Sequence, residues 1–307
     1  MQARITRALS PCVLLIIACG LPQACASDSG AKSDTSIADS VSKDNLDLLF
    51  ATEFPVASKE EALAKAAQAR ADNDSDKALF YYVRALQLDP SDADLLAHIG
   101  SIHRAQENLT LAGRAFQLAL KQDPDNAAAL QGLGLLYFDL DRPGKAEQTL
   151  QQAVASDDRL WRAHNILGVL ADRHGDHDIA QRYYDRALEI QPGMASVLIN
   201  RGYSKSLSGD MQGAARDLFE VASKHDHPKA WRNLAMVYGK QGWYEDAIQT
   251  FTKVTDEANA YNDTASIAIE NGDYEVALKF LNEAVRLSPS YFPAAEQNLA
   301  MLRKQMR

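Results

Sequence analysis

Residues 228–251 read PKAWRNLAMVYGKQGWYEDAIQTF, and the spacing within this stretch decides the fold. Trp231, Leu234, Ala235 and Tyr238 fall at i, i+3, i+4 and i+7, which puts them on one stripe of a helix. Gly242 then suits the left-handed backbone that stops a helix. Ala247, Phe251 and Val254 resume helical spacing, so a second helix is expected to run through Val254. The small side chains of Ala235 and Ala247 let two backbones approach closely. A single pair of helices cannot cover both of its apolar faces, so neighbouring pairs must cover the rest.

The same pattern recurs at intervals of about 34 residues. Residues 59–92 carry Ala62, Ala66 and Ala69, then Ala78, Tyr82, Ala85 and Pro90; this first helix has unusually small side chains. Residues 93–126 carry Leu96, Ile99 and Gly100, then Ala112, Phe116, Ala119 and Pro124. Residues 127–160 carry Leu130, Leu133, Gly134 and Tyr137, then Ala146, Leu150 and Ala153, with Asp158 where the proline would stand. Residues 161–194 carry Leu167, Gly168, Gly175, Ala180, Tyr184, Ala187 and Pro192. Residues 195–227 carry Leu198, Gly202, Gly209, Ala214, Leu218 and Val221, and place Arg201 where an apolar residue is expected. After the shortened unit 228–257, residues 258–291 carry Tyr261, Ala265, Gly272, Ala277, Leu281, Ala284 and Pro289.

Punctuation agrees with this phasing. Gly175, Gly209, Gly242 and Gly272 stand between the two helices of their units. Asp89-Pro90 and Asp123-Pro124 end second helices, and Asp92 and Asn126 are placed to cap the helices that follow. Residues 292–307 read as one last helix with Ala295, Leu299 and Leu302 inward and Arg303, Lys304 and Arg307 outward, a cap for the open end of a stack.

The spacings W-x2-L-A-x2-Y and A-x3-F resemble the tetratricopeptide signature. That resemblance implies an all-α superhelical solenoid of seven repeats over residues 59–291, closed by a capping helix at 292–307. It also implies that the first helix of each unit lines a concave groove. Residues off the packing stripe would then face the groove: Phe138, Asn165, Ile166, Val169, Asn200, Tyr203, Arg232, Asn233 and Met236. Asn200 and Asn233 share one position, where relatives often bond the backbone of an extended peptide; an amide both donates and accepts. Phe138, Tyr203 and Met236 would add apolar contact area.

The N-terminus reads as an export signal. Arg4 and Arg7 precede an apolar run ending at Ala18, which is far short of the ~20 residues that span a bilayer. Ile16-Ile17-Ala18-Cys19 resembles a bacterial lipobox, which would make residues 1–18 a lipoprotein signal peptide and Cys19 the lipidated residue. Gly20, standing where a retention signal would have Asp, implies sorting to the outer membrane. Ala24-Cys25-Ala26 offers the alternative of ordinary cleavage and a soluble periplasmic protein. The lipobox is preferred because the apolar run abuts Cys19.

Residues 27–45 contain six Ser and four Asp with few apolar side chains, too little to fold alone. Residues 19–58 are therefore expected to form a tether, its first ~25 residues from Cys19 reaching roughly 30 Å, followed by a short docking segment at Leu46, Leu48, Leu49 and Phe50 and at Phe54-Pro55.

The formal net charge of -9 argues against nucleic acid, which needs a basic face. Cys12, Cys19 and Cys25 all precede the repeats, so the repeats hold no disulfide or thiolate. The sequence contains no Gly-rich phosphate loop, G-x-S-x-G elbow or H-E-x-x-H motif, and no enzymatic role or cofactor is expected. His174, Asp176 and His177, and likewise His225, Asp226 and His227, are compact but fall in turns without further ligands, and no metal is expected there.

The lipobox-like signal, the tether, and the segments HNILGVL at 164–170 and WRNLAMVYG at 231–239 resemble the TadD lipoproteins of the tight-adherence (Flp pilus) machinery. That resemblance implies a non-catalytic, pilotin-like adaptor on the periplasmic face of the outer membrane; the alternatives are a type IV pilus pilotin, a scaffold for exopolysaccharide or cell-wall machinery and, last, an enzyme accessory. Its partner would be a protein or extended peptide, such as a secretin or another pilus-assembly component.

Overall fold

The computed structural model describes residues 56–288, 290 and 292–306. The expected signal peptide, Cys19, the tether up to residue 55, Pro289, Tyr291 and Arg307 lie outside the described residues.

Fifteen helices and no strands occur among the described residues. They are α1 (Lys59–Ala71), α2 (Ser75–Leu88), α3 (Ala93–Ala105), α4 (Leu109–Gln122), α5 (Ala127–Asp139), α6 (Pro143–Ser156), α7 (Trp161–His174) and α8 (His177–Ile190). There follow α9 (Ala195–Ser208), α10 (Met211–His225), α11 (Pro228–Lys240), α12 (Tyr244–Phe251), α13 (Glu257–Asn271), α14 (Tyr274–Leu287) and α15 (Pro293–Gln305). The all-helical solenoid read from the sequence is what forms.

Local chemistry starts and stops these helices. Ser58, Asp74, Asp92, Asn126, Asp210 and Asp256 each accept a hydrogen bond from the backbone N–H three residues on, satisfying one otherwise unpaired donor. Between the paired helices every unit places one residue in the left-handed region. These are Asn73, Glu107, Asp141, Gly175, Gly209, Gly242 and Gly272, with φ between 51° and 92°. In six units the next N–H reaches back five residues, as from Asp74 to the Ala69 carbonyl (2.8 Å) or from Asp176 to that of Ala171 (3.0 Å). This closes the end of the first helix.

Each pair packs through one recurring contact. Ala78, Ala112, Ala146, Ala180, Ala214, Ala247 and Ala277, which open the buried stripe of each second helix, are wholly inaccessible. One turn further on, Tyr82, Phe116, Leu150, Tyr184, Leu218, Phe251 and Leu281 fill the space between helices. The first helix makes room for them. A Cβ on Gly168 would lie 2.5 Å from the Tyr184 ring, and one on Gly100 2.7 Å from that of Phe116.

One expectation is corrected. The second helix of unit 228–257 stops at Phe251, and Val254 lies in the turn that follows. Thr252 caps α12 after eight residues, while Asp256 already caps α13, so this short unit has no length left for another helical turn. At the end of the stack α15 buries Ala295, Leu299 and Leu302 and exposes Arg303 and Lys304.

Candidate functional site

From α3 onward each first helix packs against the first helix of the next unit, whereas among the described residues no two second helices pack on one another to that extent. First helices are therefore the crowded, inner row of the stack and second helices its outer row. That inner row is the candidate site.

Polar rungs tie successive inner helices together. Arg104 pairs with Asp139 at 2.6 Å between α3 and α5, and Asn126 donates to Asp94 Oδ1 at 2.7 Å. Asn200 Nδ2 donates to Asn165 Oδ1 (3.1 Å) between α7 and α9. Asn271 Nδ2 donates to the Gly239 carbonyl (2.9 Å), and Asn298 Nδ2 to Asn262 Oδ1 (3.0 Å). Asp172 on α7 accepts from Tyr184 Oη (2.8 Å) on α8 and Ser204 Oγ (2.7 Å) on α9, and its Oδ1 lies 2.8 Å from His177 Nδ1. Burial, reinforced by Asp172, pushes the Tyr184 phenol far above its ordinary range, so it stays a donor.

The nine groove residues read from the sequence all lie on inner helices, but they are not equally available. Tyr203 and Arg232 are exposed. Phe138, Ile166, Val169, Asn200, Asn233 and Met236 are half-buried, and Asn165 is buried. The structure brings Asn165 and Asn200 together, and among the described residues the Asn200 carbonyl oxygen and second amide hydrogen have no further partner. Arg173 lies over the Phe138 ring, 5.0 Å from its centroid. Arg232 approaches Asp263 at 3.8 Å, and burial raises the Asp263 carboxyl above its ordinary value despite that arginine.

Sequence reasoning passed over three inner-row arginines. Arg70, Arg104 and Arg162 stand on α1, α3 and α7, and the Arg162 guanidinium is near enough to the other two that their charges disfavour its own. Arg162 is exposed as a residue, but desolvation of its guanidinium by neighbouring atoms is the larger cause of its downward shift. No local pattern marks these residues, because their proximity arises from the path of the whole stack.

One residue of each histidine cluster has another partner: His177 meets Asp172, and Asp226 accepts from Trp231 Nε1 at 2.8 Å. Among the described residues no three His, Asp or Glu side chains converge in a metal-binding arrangement. No described helix is long and apolar enough to cross a membrane.

Helix pairs of this length, a left-handed turn residue in each unit and an inner row of first helices define a helical-repeat scaffold. The tetratricopeptide repeat family matches residues 62–127, 103–167, 167–229 and 232–292, and the chain belongs to that family. It is 30% identical over 130 residues to the general transcriptional corepressor ssn6 of Schizosaccharomyces pombe, covering 41% of this chain and 12% of that protein. It is 28% identical over 120 residues to the type IV pilus assembly protein PilF of Pseudomonas aeruginosa, covering 38% of this chain and 47% of PilF. Among solved structures, PilW, titled a widely conserved type IV pilus biogenesis factor, superposes with TM-score 0.54 at 21% identity. That match covers 67% of this chain and 98% of PilW. The chain thus spans only a fraction of the curated relatives' length, and the PilW likeness concerns the fold.

Proposed function

We propose that this chain is a non-catalytic adaptor whose inner helical row holds an extended segment of a partner protein during assembly of a pilus or related secretion machine. The observation that carries the reading is the stripe running from Phe138 through Asn200 and Tyr203 to Met236. It joins unsatisfied amide valences to partly exposed apolar side chains on the inner row. An extended peptide offers matching backbone groups at regular spacing, so amides of this kind can hold it whatever its side chains. The pilus-biogenesis relatives support the choice of machine.

In the fuller form of the proposal, Cys19 carries a lipid that fixes the protein to the periplasmic face of the outer membrane, and the machine is the tight-adherence pilus. Several acyl chains at ~0.8 kcal/mol per buried CH₂ would hold it there, and confinement raises the effective concentration of a weakly bound partner. A type IV pilus is the second reading, favoured by the same PilF and PilW likenesses. The test is affinity capture of the full chain from its own cells, comparing wild type with N200A/Y203A/N233A. Loss of a co-purifying secretin from the triple variant is expected, and the secretin's identity separates the two pili. A variant that keeps every wild-type partner overturns the groove. Labelling with a radioactive fatty acid that survives Cys19→Ser overturns the anchor.

A further inference from the structure

The inner row is not chemically uniform. Toward its middle and C-terminal part, around α9 and α11, it offers amides and apolar side chains. Toward its N-terminal part it gathers three guanidinium groups, two of which pair with no carboxylate among the described residues. Arg70 on α1 donates to the Tyr82 hydroxyl at 3.3 Å, and Arg162 on α7 lies over the Trp161 ring, 4.4 Å from its centroid. Among the described residues neither pairs with a carboxylate, and both are exposed. Arg104, between them, is paired with Asp139. His98, stacked on Tyr82 with centroids 4.9 Å apart, borders Arg70 and stays neutral more readily than a free imidazole, first through burial and then through that arginine's charge.

We infer that this end of the groove takes the acidic side chains of an extended protein segment, with Arg70 and Arg162 receiving carboxylates on either side of the Arg104–Asp139 pair. A guanidinium presents two parallel N–H donors that match both oxygens of a carboxylate, and like charges held together on a folded scaffold are relieved by an arriving anion. Nucleic acid suits the site less well. Asp94 and Asp139 flank the arginines, and the chain carries a net charge of -9, both of which oppose a continuous phosphate backbone. The inference rests on the groove-binding reading and names the chemistry of the segment bound.

The test is fluorescence anisotropy with the full chain and three probes. The first is a fluorescein-labelled, C-amidated octapeptide of alternating Glu and Ser; the second is its Gln/Ser counterpart; the third is a single-stranded oligonucleotide. At about 50 mM salt the Glu peptide is expected to bind about tenfold more tightly than the Gln peptide, and to weaken severalfold at about 500 mM. R70Q/R162Q should lose about fivefold or more of that affinity. R286Q, on the outer helix α14 where Arg286 pairs with Glu283, should lose none. Because Arg70 and Arg162 are exposed, the single variants R70Q and R162Q give a second route if the double variant folds poorly. Equal binding of the two peptides, an unchanged Kd in R70Q/R162Q, or tighter binding of the oligonucleotide overturns the inference. None of those results touches the capture experiment, which addresses Asn200, Tyr203 and Asn233, so the two readings fail separately.

Discussion

Arg201 Nε and Nη2 donate to the two carboxylate oxygens of Asp217, both at 2.8 Å, across the α9–α10 pair. Arg201 thus fills its position, apolar in most other units, with a paired charge. Asp217 is buried and also receives Lys205 Nζ at 2.9 Å, while the outer edge of the guanidinium reaches Asp185 at 2.7 Å. Burial opposes the charge on Arg201, but these bonds prevail and raise its pKa. Removing Asp217 should cost about 3 kcal/mol, because two cations are left in a half-dry site. R201L/D217L, which restores an apolar contact, should return to within about 1 kcal/mol of wild type. Urea unfolding followed by circular dichroism checks both values, and a D217A midpoint equal to that of wild type would show the pair to be idle.

The same substitution should have opposite results at two glycines of one unit. A Cβ on Gly132 would overlap the Phe116 ring, and ring and backbone must yield; G132A is expected to cost about 1–3 kcal/mol. Gly144, near the start of α6, has nothing within 4 Å of its would-be Cβ, so G144A should be neutral or stabilising by up to ~1 kcal/mol. Thermal melts of the two variants decide it.

Turn residues give a third contrast. Glu107 adopts φ 62°, which costs an L side chain about 1 kcal/mol, and its counterpart in the fourth unit is Gly175. E107G should raise the melting midpoint by roughly 2 °C and G175A should lower it by roughly 2–4 °C. Identical midpoints for all three proteins would mean that these turns unfold before the helices they join.

Acid should weaken the N-terminal units first. Burial lowers the pKa of His98 and of His103 below the ordinary 6.5, with Arg70 adding to the effect at His98. Below pH 6.5 the unfolded chain therefore binds protons that the folded chain still refuses, so stability falls as pH drops from 7 toward 5. H98N/H103N should flatten that slope. Unfolding midpoints measured along the pH series, with a slope unchanged in the double variant, would remove both histidines from the account.

Much of the fold was legible because its signals are local. Leu167, Gly168 and Tyr184, or Leu234, Ala235 and Phe251, recur at a spacing that only paired helices satisfy. The turn glycines and the Asp92 and Asn126 caps mark where each helix ends. The length of α12 was not legible, since Val254 fits the stripe but competes with the Asp256 cap two residues on. At the candidate site the inner-row position of Asn200, Tyr203 and Met236 followed from register. The burial of Asn165 against Asn200 did not, because it depends on how far one unit is rotated on the next.

The sequence alone therefore determined the repeating helix pair and its turns, since period and steric demand act within about 34 residues. Only the tertiary structure decided that Asp217 neutralises Arg201 and that Arg70, Arg104 and Arg162 share one field. Arg201 meets Asp217 through the packing of the two helices of one unit, whereas the three arginines stand in different units and meet through the small rotation added at each step of the stack, a sum that no single repeat carries.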